Sequence, residues 1–138
     1  MLFRSKNMII HRDYDQEKRL DRVWYNSSNV FYSECEDVVD DYKILRVVFN
    51  NGATYEYRNV DVNDYVMFVR GGLDGSNGRA LNKFIKPKCE CERIEDLGKE
   101  RLTEELNRLL EEKKQKKLLE EQENQETNET DEKENGEN

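Results

Sequence analysis

The sequence predicts an α+β fold: an antiparallel meander of three or four strands covered on one face by two short helices, followed by a long charged C-terminal helix and a disordered acidic tail. Three observations lead to this prediction. An Asn-Gly dipeptide lies between two β-prone runs, apolar residues at helical spacing follow Val60, and the composition changes after Ile94 to Leu, Glu, Lys and Arg.

The strongest local signal is a hairpin over residues 44–57, because Asn-Gly between β-prone runs is typical of a hairpin turn. A two-residue turn would mix apolar with polar side chains on one face. A three-residue loop, Asn50-Asn51-Gly52, with Gly52 left-handed, gives instead the pairs Phe49–Ala53, Val47–Tyr55, Leu45–Tyr57 and Arg46–Glu56. We predict the second register, since one face is then wholly apolar and aromatic and the other gains an ion pair.

The residues before the hairpin predict one further strand clearly. Val30 to Cys35 has strand-like composition and follows a polar turn at residues 26–29. Residues 1–21 are poorly patterned. Within them we expect a short strand at residues 8–10 and a helical turn or two from Tyr14 to Leu20.

Two short helices are predicted to cover the apolar face. Asp61 is the expected N-cap of the first, and Gly71-Gly72 is expected to end it. The second is expected from Arg79 to about Lys86, because Pro87 cannot continue a helix. In the second helix Leu81, Phe84 and Ile85 should be buried, while Arg79, Lys83 and Lys86 should share the opposite side.

The chain is predicted to comprise a segment 1–21, a domain 22–94, a charged helix 95–122 and a disordered acidic tail 123–138. The helix is either solvated or a dimerising helix, since its leucine stripe is interrupted at Lys113 and resumes at Leu118 and Leu119. The tail holds no large apolar side chain, which is typical of disorder.

Charge is divided unevenly along the chain. The net charge is -8, and residues 95–138, with eight basic and sixteen acidic side chains, account for the excess acid. The predicted domain is close to neutral and can therefore carry a local basic patch. No apolar run is long enough to span a membrane or to act as a signal peptide, so we expect no membrane contact and a cytoplasmic location.

The sequence gives little support to metal binding or catalysis. Cys89-Glu90-Cys91 lacks the spacing of a zinc knuckle, and Cys35 is the only other thiol. His11 is the only histidine and lies in the poorly patterned segment, without an identifiable partner. We expect reduced cysteines, no cofactor, no metal and no enzymatic activity.

The order of several short motifs resembles the KTSC domain, a module named for its occurrence at the C-terminus of some lysyl-tRNA synthetases. The matching pieces are Ser27-Ser28-Asn29-Val30, residues 47–52, Tyr55-Glu56-Tyr57, residues 60–65 without the usual proline, and residues 78–85. The resemblance covers residues 23 to about 88. It implies a link to RNA, because the fusion to a tRNA synthetase is the basis on which RNA binding has been suggested.

A candidate ligand site lies in the glycine-rich loop and the second helix. Loop amides and a basic helix face are suited to a phosphate group, although the glycines could equally serve only turn geometry. The candidate residues are Ser76, Asn77, Gly78, Arg79, Asn82, Lys83, Lys86 and Tyr57. Tyr57 is expected to be mostly core, with its hydroxyl near the surface.

Two functions are therefore considered. The first is a non-catalytic binding module for RNA or a phosphate-bearing signalling nucleotide. The second is a protein-interaction or regulatory module, which engages a partner or a second copy through residues 95–122 and carries the acidic tail as a shield or mimic of nucleic acid.

Overall fold

The computed structural model describes residues 9–39 and 42–137, with the side chains of residues 39, 42 and 125–137 left aside. The chain divides into two compact units, Met1–Leu102 and Thr103–Asn138. The first unit contains the sheet and the short helices. The second consists of the greater part of one long helix.

A single antiparallel sheet forms the first unit, with its strands in sequence order. The strands are β1 (Ile9–Asp15), β2 (Leu20–Tyr25), β3 (Val30–Val39), β4 (Tyr42–Phe49), β5 (Thr54–Val60) and β6 (Glu90–Ile94). The α+β class is confirmed, but the sheet has six strands where we expected three or four. The strands beyond the predicted three are β1 and β2, within residues 9–25, and β6, whose charged composition gave little β signal.

The helical turns expected from Tyr14 to Leu20 are wrong, because these residues close a β-hairpin. Cross-strand ion pairs stabilise this hairpin: Arg12 donates to Asp21 at 2.7 Å and Arg22 donates to Asp13 at 2.9 Å. Pairing with β2 and β3 thus decides the structure of a segment whose own sequence is weakly patterned. Residue 8, included in the expected short strand, lies outside the described residues.

The central hairpin has the predicted three-residue loop and register. Leu45 pairs with Tyr57 and Val47 with Tyr55. The amide of Phe49 donates to the carbonyl of Ala53 at 2.9 Å, and Gly52 has φ +93°, a conformation that favours glycine. The apolar face of the hairpin is therefore the one predicted.

Four helices follow or interrupt the strands. They are α1 (Val62–Arg70), α2 (Asn77–Ala80), a π-helix (Leu81–Ile85) and α3 (Lys99–Glu137). Asp61 caps α1 as predicted, accepting from the amides of Asn63 and Asp64, and Gly71 ends it at φ +82°. The expected single helix from Arg79 to Lys86 is instead α2 followed directly by the π-helix.

The main core lies between one face of the sheet and the short helices. Its largest members include Tyr25, Leu45, Tyr57, Phe68 and Ile85. In α1 the buried side chains are Tyr65, Phe68 and Val69, whereas Val62 and Val66, which also belong to the apolar residues at helical spacing after Val60, are exposed. The helix therefore buries a narrower face than its sequence suggests.

The opposite face of the sheet also holds a buried cluster, which the prediction of one covered face missed. Trp24, Tyr32, Val48 and Thr54 pair across four strands and are at most 1% exposed. The first turn of α3 covers them: Leu102 is 1% exposed, and its carbonyl accepts from the indole nitrogen of Trp24 at 3.0 Å. A tryptophan donor buried in this way needs such an acceptor.

A row of charged side chains crosses the same face beside that cluster. The row runs Asp13, Arg22, Glu34, Arg46, Glu56 and Glu92, one residue from each strand. Arg46 at its centre contacts Glu34, Glu36 and Glu56 within 3.1 Å. Arg58 contacts both Glu56 and Glu92, which offsets the two adjacent acidic residues at the end of the row.

The long helix α3 is highly charged and continues to Glu137, through most of the tail that we expected to be disordered. Glutamate, glutamine and lysine in this stretch favour a helix, and no proline interrupts it. Among the described residues, no helix combines the length and the apolar character that crossing a membrane would need.

Candidate ligand-binding cleft

The glycine-rich loop uses many of its polar groups within the protein. The Ser76 hydroxyl accepts from the amide of Arg79, and Asp74 accepts from the amide of Ser76. The guanidinium of Arg79 donates to Asp74 at 2.8 Å and lowers the pKa of that carboxyl. Loop amides and one of the predicted cations are thus occupied, so the loop itself offers a phosphate less than its sequence suggests.

Asn77 is fully buried and joins α2 to the end of α1. Its side-chain amide donates to the carbonyls of Phe68 and Val69 at 2.9 and 3.2 Å. These carbonyls belong to the last turn of α1, where helical partners are missing. Asn77 therefore acts as a C-terminal cap supplied from outside the helix.

Gly78 allows α2 to approach the turn that precedes β3. A Cβ atom at Gly78 would lie 2.7 Å from Nδ2 of Asn29, which is too close for any other residue without movement of that side chain. The Ser-Ser-Asn and Gly motifs, distant in sequence, are therefore in direct contact. Asn29 was absent from the predicted site because nothing in the sequence indicates this proximity.

The π-helix determines where the basic side chains point. The amide of Lys86 donates to the carbonyl of Leu81 at 2.9 Å, the five-residue spacing of a π turn. Leu81 and Ile85 are buried as predicted. The expected common basic face is divided, because Arg79 shares a small cavity of about 110 Å³ with Lys83 and a separate cleft with Lys86, whereas Lys83 and Lys86 share none of these.

Lys86 lies at the junction of two larger clefts. The first, which we call the aromatic cleft, has a volume of about 420 Å³. The aromatic, basic and thiol side chains that line it are Phe49, Tyr55, Tyr57, Lys86, Cys91 and Arg93. The second, the asparagine cleft, has a volume of about 280 Å³ and includes Asn29, Phe49, Gly78, Asn82 and Lys86. The two share Phe49 and Lys86.

Phe49 and Tyr55 form one wall of the aromatic cleft. Their rings meet edge to face with centroids 5.7 Å apart, and both side chains are partly exposed. Tyr57 is 1% exposed, which confirms that its ring is core. Burial and the neighbouring Cys91 raise the pKa of Tyr57, so its hydroxyl stays protonated near neutral pH.

The cleft has a positive rim. Lys86 is exposed and has no ion pair with a carboxylate among the residues described. Arg93, 60% exposed, approaches Asp96 only at 3.8 Å. Lys88, by contrast, is held by Asp64 at 3.1 Å outside the cleft. Of the two described cations that line the aromatic cleft, Lys86 is thus the one without a carboxylate nearby.

Of the eight predicted site residues, five line the aromatic cleft or the asparagine cleft. Tyr57 and Lys86 line the aromatic cleft, and Gly78, Arg79, Asn82 and Lys86 line the asparagine cleft. Ser76, Asn77 and Lys83 line neither. Phe49, Tyr55, Cys91 and Arg93 were missed, although the hairpin register already placed Phe49 and Tyr55 on the face of Tyr57.

The cysteines are dispersed across the sheet. Cys35 pairs with Leu45, which pairs with Tyr57, which pairs with Cys91, so three strand spacings of about 4.8 Å separate the two thiols. Cys89 instead contacts the carbonyl of Asn59 at 3.8 Å. Within residues 9–39 and 42–137 no group of three or more metal-ligating side chains comes together.

The only histidine lies far from the clefts in the sheet. His11 pairs with Trp24 on the face covered by the first turn of α3, and the two ring centroids are 5.7 Å apart. Its Nε2 lies 3.7 Å from a carboxylate oxygen of Asp13. This environment is a packed aromatic one, in which an imidazole contributes mainly buried surface.

Residues 40–88 match the KTSC domain, a finding that agrees with the resemblance seen in the sequence. The matched segment contains β4, β5, α1, α2 and the π-helix, and begins later than the expected residue 23. No curated protein and no solved structure gave a match. The match includes Phe49, Tyr55, Tyr57 and Lys86, whereas Cys91 and Arg93 lie beyond it.

Proposed function

We propose that this chain, whose residues 40–88 match the KTSC domain, is a non-catalytic module that binds a phosphate-bearing nucleotide, either free or as one unit of single-stranded RNA, in the aromatic cleft. One observation carries the proposal: Lys86, which is exposed and has no carboxylate partner in the described part of the chain, lies beside the partly exposed ring pair Phe49–Tyr55. A nucleotide presents an anion and a flat ring, the two groups that this arrangement suits.

The dimensions of the clefts favour a small ligand. The aromatic cleft, of about 420 Å³, falls within the range of about 300–1,000 Å³ that small-molecule sites occupy. The adjoining asparagine cleft would add the amide of Asn82 as a polar contact. A small ligand also suits the strongly acidic residues 95–138, which would repel a long polyanion.

Binding is tested by comparing Lys86→Glu with Lys83→Glu. Both substitutions change the net charge equally on neighbouring exposed residues, but only Lys86 lines the aromatic cleft. Nucleoside mono- and diphosphates are assayed by thermal shift, and labelled RNA of about eight nucleotides by fluorescence anisotropy. We expect Lys86→Glu to weaken binding by about tenfold or more, since it replaces an attraction by a repulsion, and Lys83→Glu to change it little.

Two results would contradict the proposal. One is the absence of any stabilisation of the wild-type chain by nucleotides or RNA at about 1 mM ligand. The other is an equal loss of affinity in both variants, which would show only a general effect of charge. Stabilisation by mononucleotides without RNA binding would assign the free nucleotide, and the reverse result would assign RNA.

The second candidate function is protein interaction through α3 and the acidic residues that follow. The observation that favours it is the exposure of Leu110, Leu118 and Leu119, which are 36%, 47% and 59% exposed on a helix otherwise rich in charge. Exposed leucines in a row of charged residues are typical of a helix that packs on another helix. A cytoplasmic location and the absence of catalysis remain predictions from the sequence.

A further inference from the structure

Between residues 113 and 123 of α3 the side-chain charges change sign once, between Leu118 and Leu119. Four lysines at positions 113, 114, 116 and 117 precede this point, and three glutamates at positions 120, 121 and 123 follow it. All of these residues are exposed, as are the two leucines. The segment therefore has a positive half and a negative half joined by an exposed apolar pair.

Helix geometry sorts these side chains by face. At about 100° per residue, Gln115 and Gln122 lie on the same face as Leu118 and Leu119. Lys114 and Glu121, seven residues apart, flank this face on one side, and Lys116 and Glu123 flank it on the other. Within residues 113–123 each flank thus carries one lysine, which precedes the leucine pair along the helix, and one glutamate, which follows it.

We propose that this face binds the same face of a second copy of the chain, with the two helices antiparallel and the two-fold axis between Leu118 and Leu119. The inference rests on the second candidate function and names its partner. In this arrangement the leucines of the two copies contact each other. Lys114 then meets Glu121 of the partner subunit, and Lys116 meets Glu123 of the partner subunit, each pair occurring twice because the interface is isologous.

The charge pattern favours the antiparallel orientation, and it favours a second copy of the chain as the partner. In a parallel, in-register pair, Lys114 and Lys116 would meet lysines and Glu121 would meet glutamate, so both flanks would be repulsive. In the antiparallel pair, all the contacts among Lys114, Lys116, Glu121 and Glu123 are attractive. Neither Lys114 nor Lys116 forms an ion pair within the described residues, which leaves both side chains available.

The apolar contact is small, so the dimer should be weak and sensitive to salt. Stable interfaces bury about 1,200–2,000 Å² of total surface, and two leucines from each copy supply only a small part of such an area. Exposed ion pairs contribute modestly and are screened as ionic strength rises. We therefore expect association at high protein concentration and low salt, and its loss at about 0.5 M salt.

Sedimentation equilibrium of the full chain between about 10 µM and 1 mM measures the association. Two charge-reversed variants are compared, Lys114→Glu/Lys116→Glu and Glu121→Lys/Glu123→Lys. Each should raise the dimer dissociation constant by about tenfold or more, because four attractive contacts become repulsive. Mixing the two variants, or combining all four substitutions in one chain, should restore association because opposite charges meet again.

A matched control uses the other side of the same helix. Lys113→Glu/Lys117→Glu makes the same change in charge on side chains that point away from the leucine face, and it should leave association unchanged. Circular dichroism checks that every variant keeps its helix content. If the control variant lost association to the same extent, the loss in the other variants would be an effect of net charge alone.

The proposal is overturned if the wild-type chain is monomeric throughout this range, or if the fourfold variant fails to recover association. Either result leaves nucleotide binding at Lys86 untouched, since Lys86→Glu lies outside α3 and should associate normally. Binding of RNA that depends on Lys114 and Lys116, without self-association, would assign the lysines to nucleic acid instead.

Discussion

Cys35 lies in the core beside Leu45, where 4% of its surface reaches solvent, and this burial raises the pKa of its thiol to about 12. The thiol of an unfolded chain ionises near 9.0. Between these two values the unfolded state has lost its proton while the folded state keeps it. The free energy of unfolding should therefore be unaffected below about pH 9 and fall as the pH rises above it.

Urea denaturation from about pH 8 to pH 10.5 measures this effect. Wild-type stability should fall more steeply than that of Cys35→Val, by on the order of 1.4 kcal/mol per pH unit, the value for one proton. The buried tyrosines 25, 57 and 65 also have raised pKa values and steepen both curves above about pH 10. Parallel curves for the two proteins below that pH would contradict the assignment to Cys35.

Individual side chains differ in how well the sequence predicts them. Tyr57 could be placed in the core because strand alternation and the hairpin register depend only on neighbouring residues. Asn77 could not be placed, since its partners are the carbonyls at the end of another helix. Lys86 could be predicted as exposed, but its position beside Phe49 depends on the packing of the π-helix on the sheet.

At the scale of elements, the contact between α2 and α1 depends on a single side chain, that of Asn77. Asn77→Ala would leave the carbonyl of Val69 without the Asn77 donor, whereas the carbonyl of Phe68 would keep the amide of Gly71 at 3.0 Å. We expect a loss of about 1–3 kcal/mol in the free energy of unfolding, the cost of such an unsatisfied group.

Asn82→Ala is the matched control, because Asn82 is exposed in the following π-helix and should change stability by less than about 0.5 kcal/mol. Chemical denaturation of both variants gives the comparison. Equal stabilities for Asn77→Ala and Asn82→Ala would mean that the two hydrogen bonds contribute little. Nucleotide affinity in each variant shows separately whether Asn82 contacts the ligand.

Elements with a strong local signal were predicted well, and those fixed by distant contacts were not. The hairpin of β4 and β5 and both ends of α1 follow from Gly52, Asp61 and Gly71, whose effects are local. The strand β6 gains its structure by pairing with β5. The π-helix likewise departs from the expected α-helix, although both bury Leu81 and Ile85.

For the whole molecule, the consequence of a two-sided sheet is that stability depends on α3 as well as on the short helices. Leu102→Ala should reduce the free energy of unfolding by about 2–5 kcal/mol, because Leu102 is 1% exposed over the Trp24 cluster. Leu118→Ala, in the same helix but 47% exposed, should change it by less than about 0.5 kcal/mol.

Tryptophan fluorescence follows this comparison directly, since Trp24 is the only tryptophan and donates to the carbonyl of Leu102. Denaturation monitored at this signal should show the Leu102→Ala chain unfolding at lower denaturant. Similar midpoints for the two leucine variants would show that the first turn of α3 is dispensable for the fold. The result bears on any truncation used to separate the ligand-binding and helical parts.

The charged row centred on Arg46 should help the strands pair in the correct register during folding. A shift of β3 against β4 by two residues keeps every side chain on its own face, so the apolar pattern alone cannot reject it. Such a shift would place Glu34 opposite Ile44 or Val48, away from Arg46. The alternating charges thus favour the native register of the strands. A chain that lost Arg46 should populate misaligned sheets and aggregate during refolding.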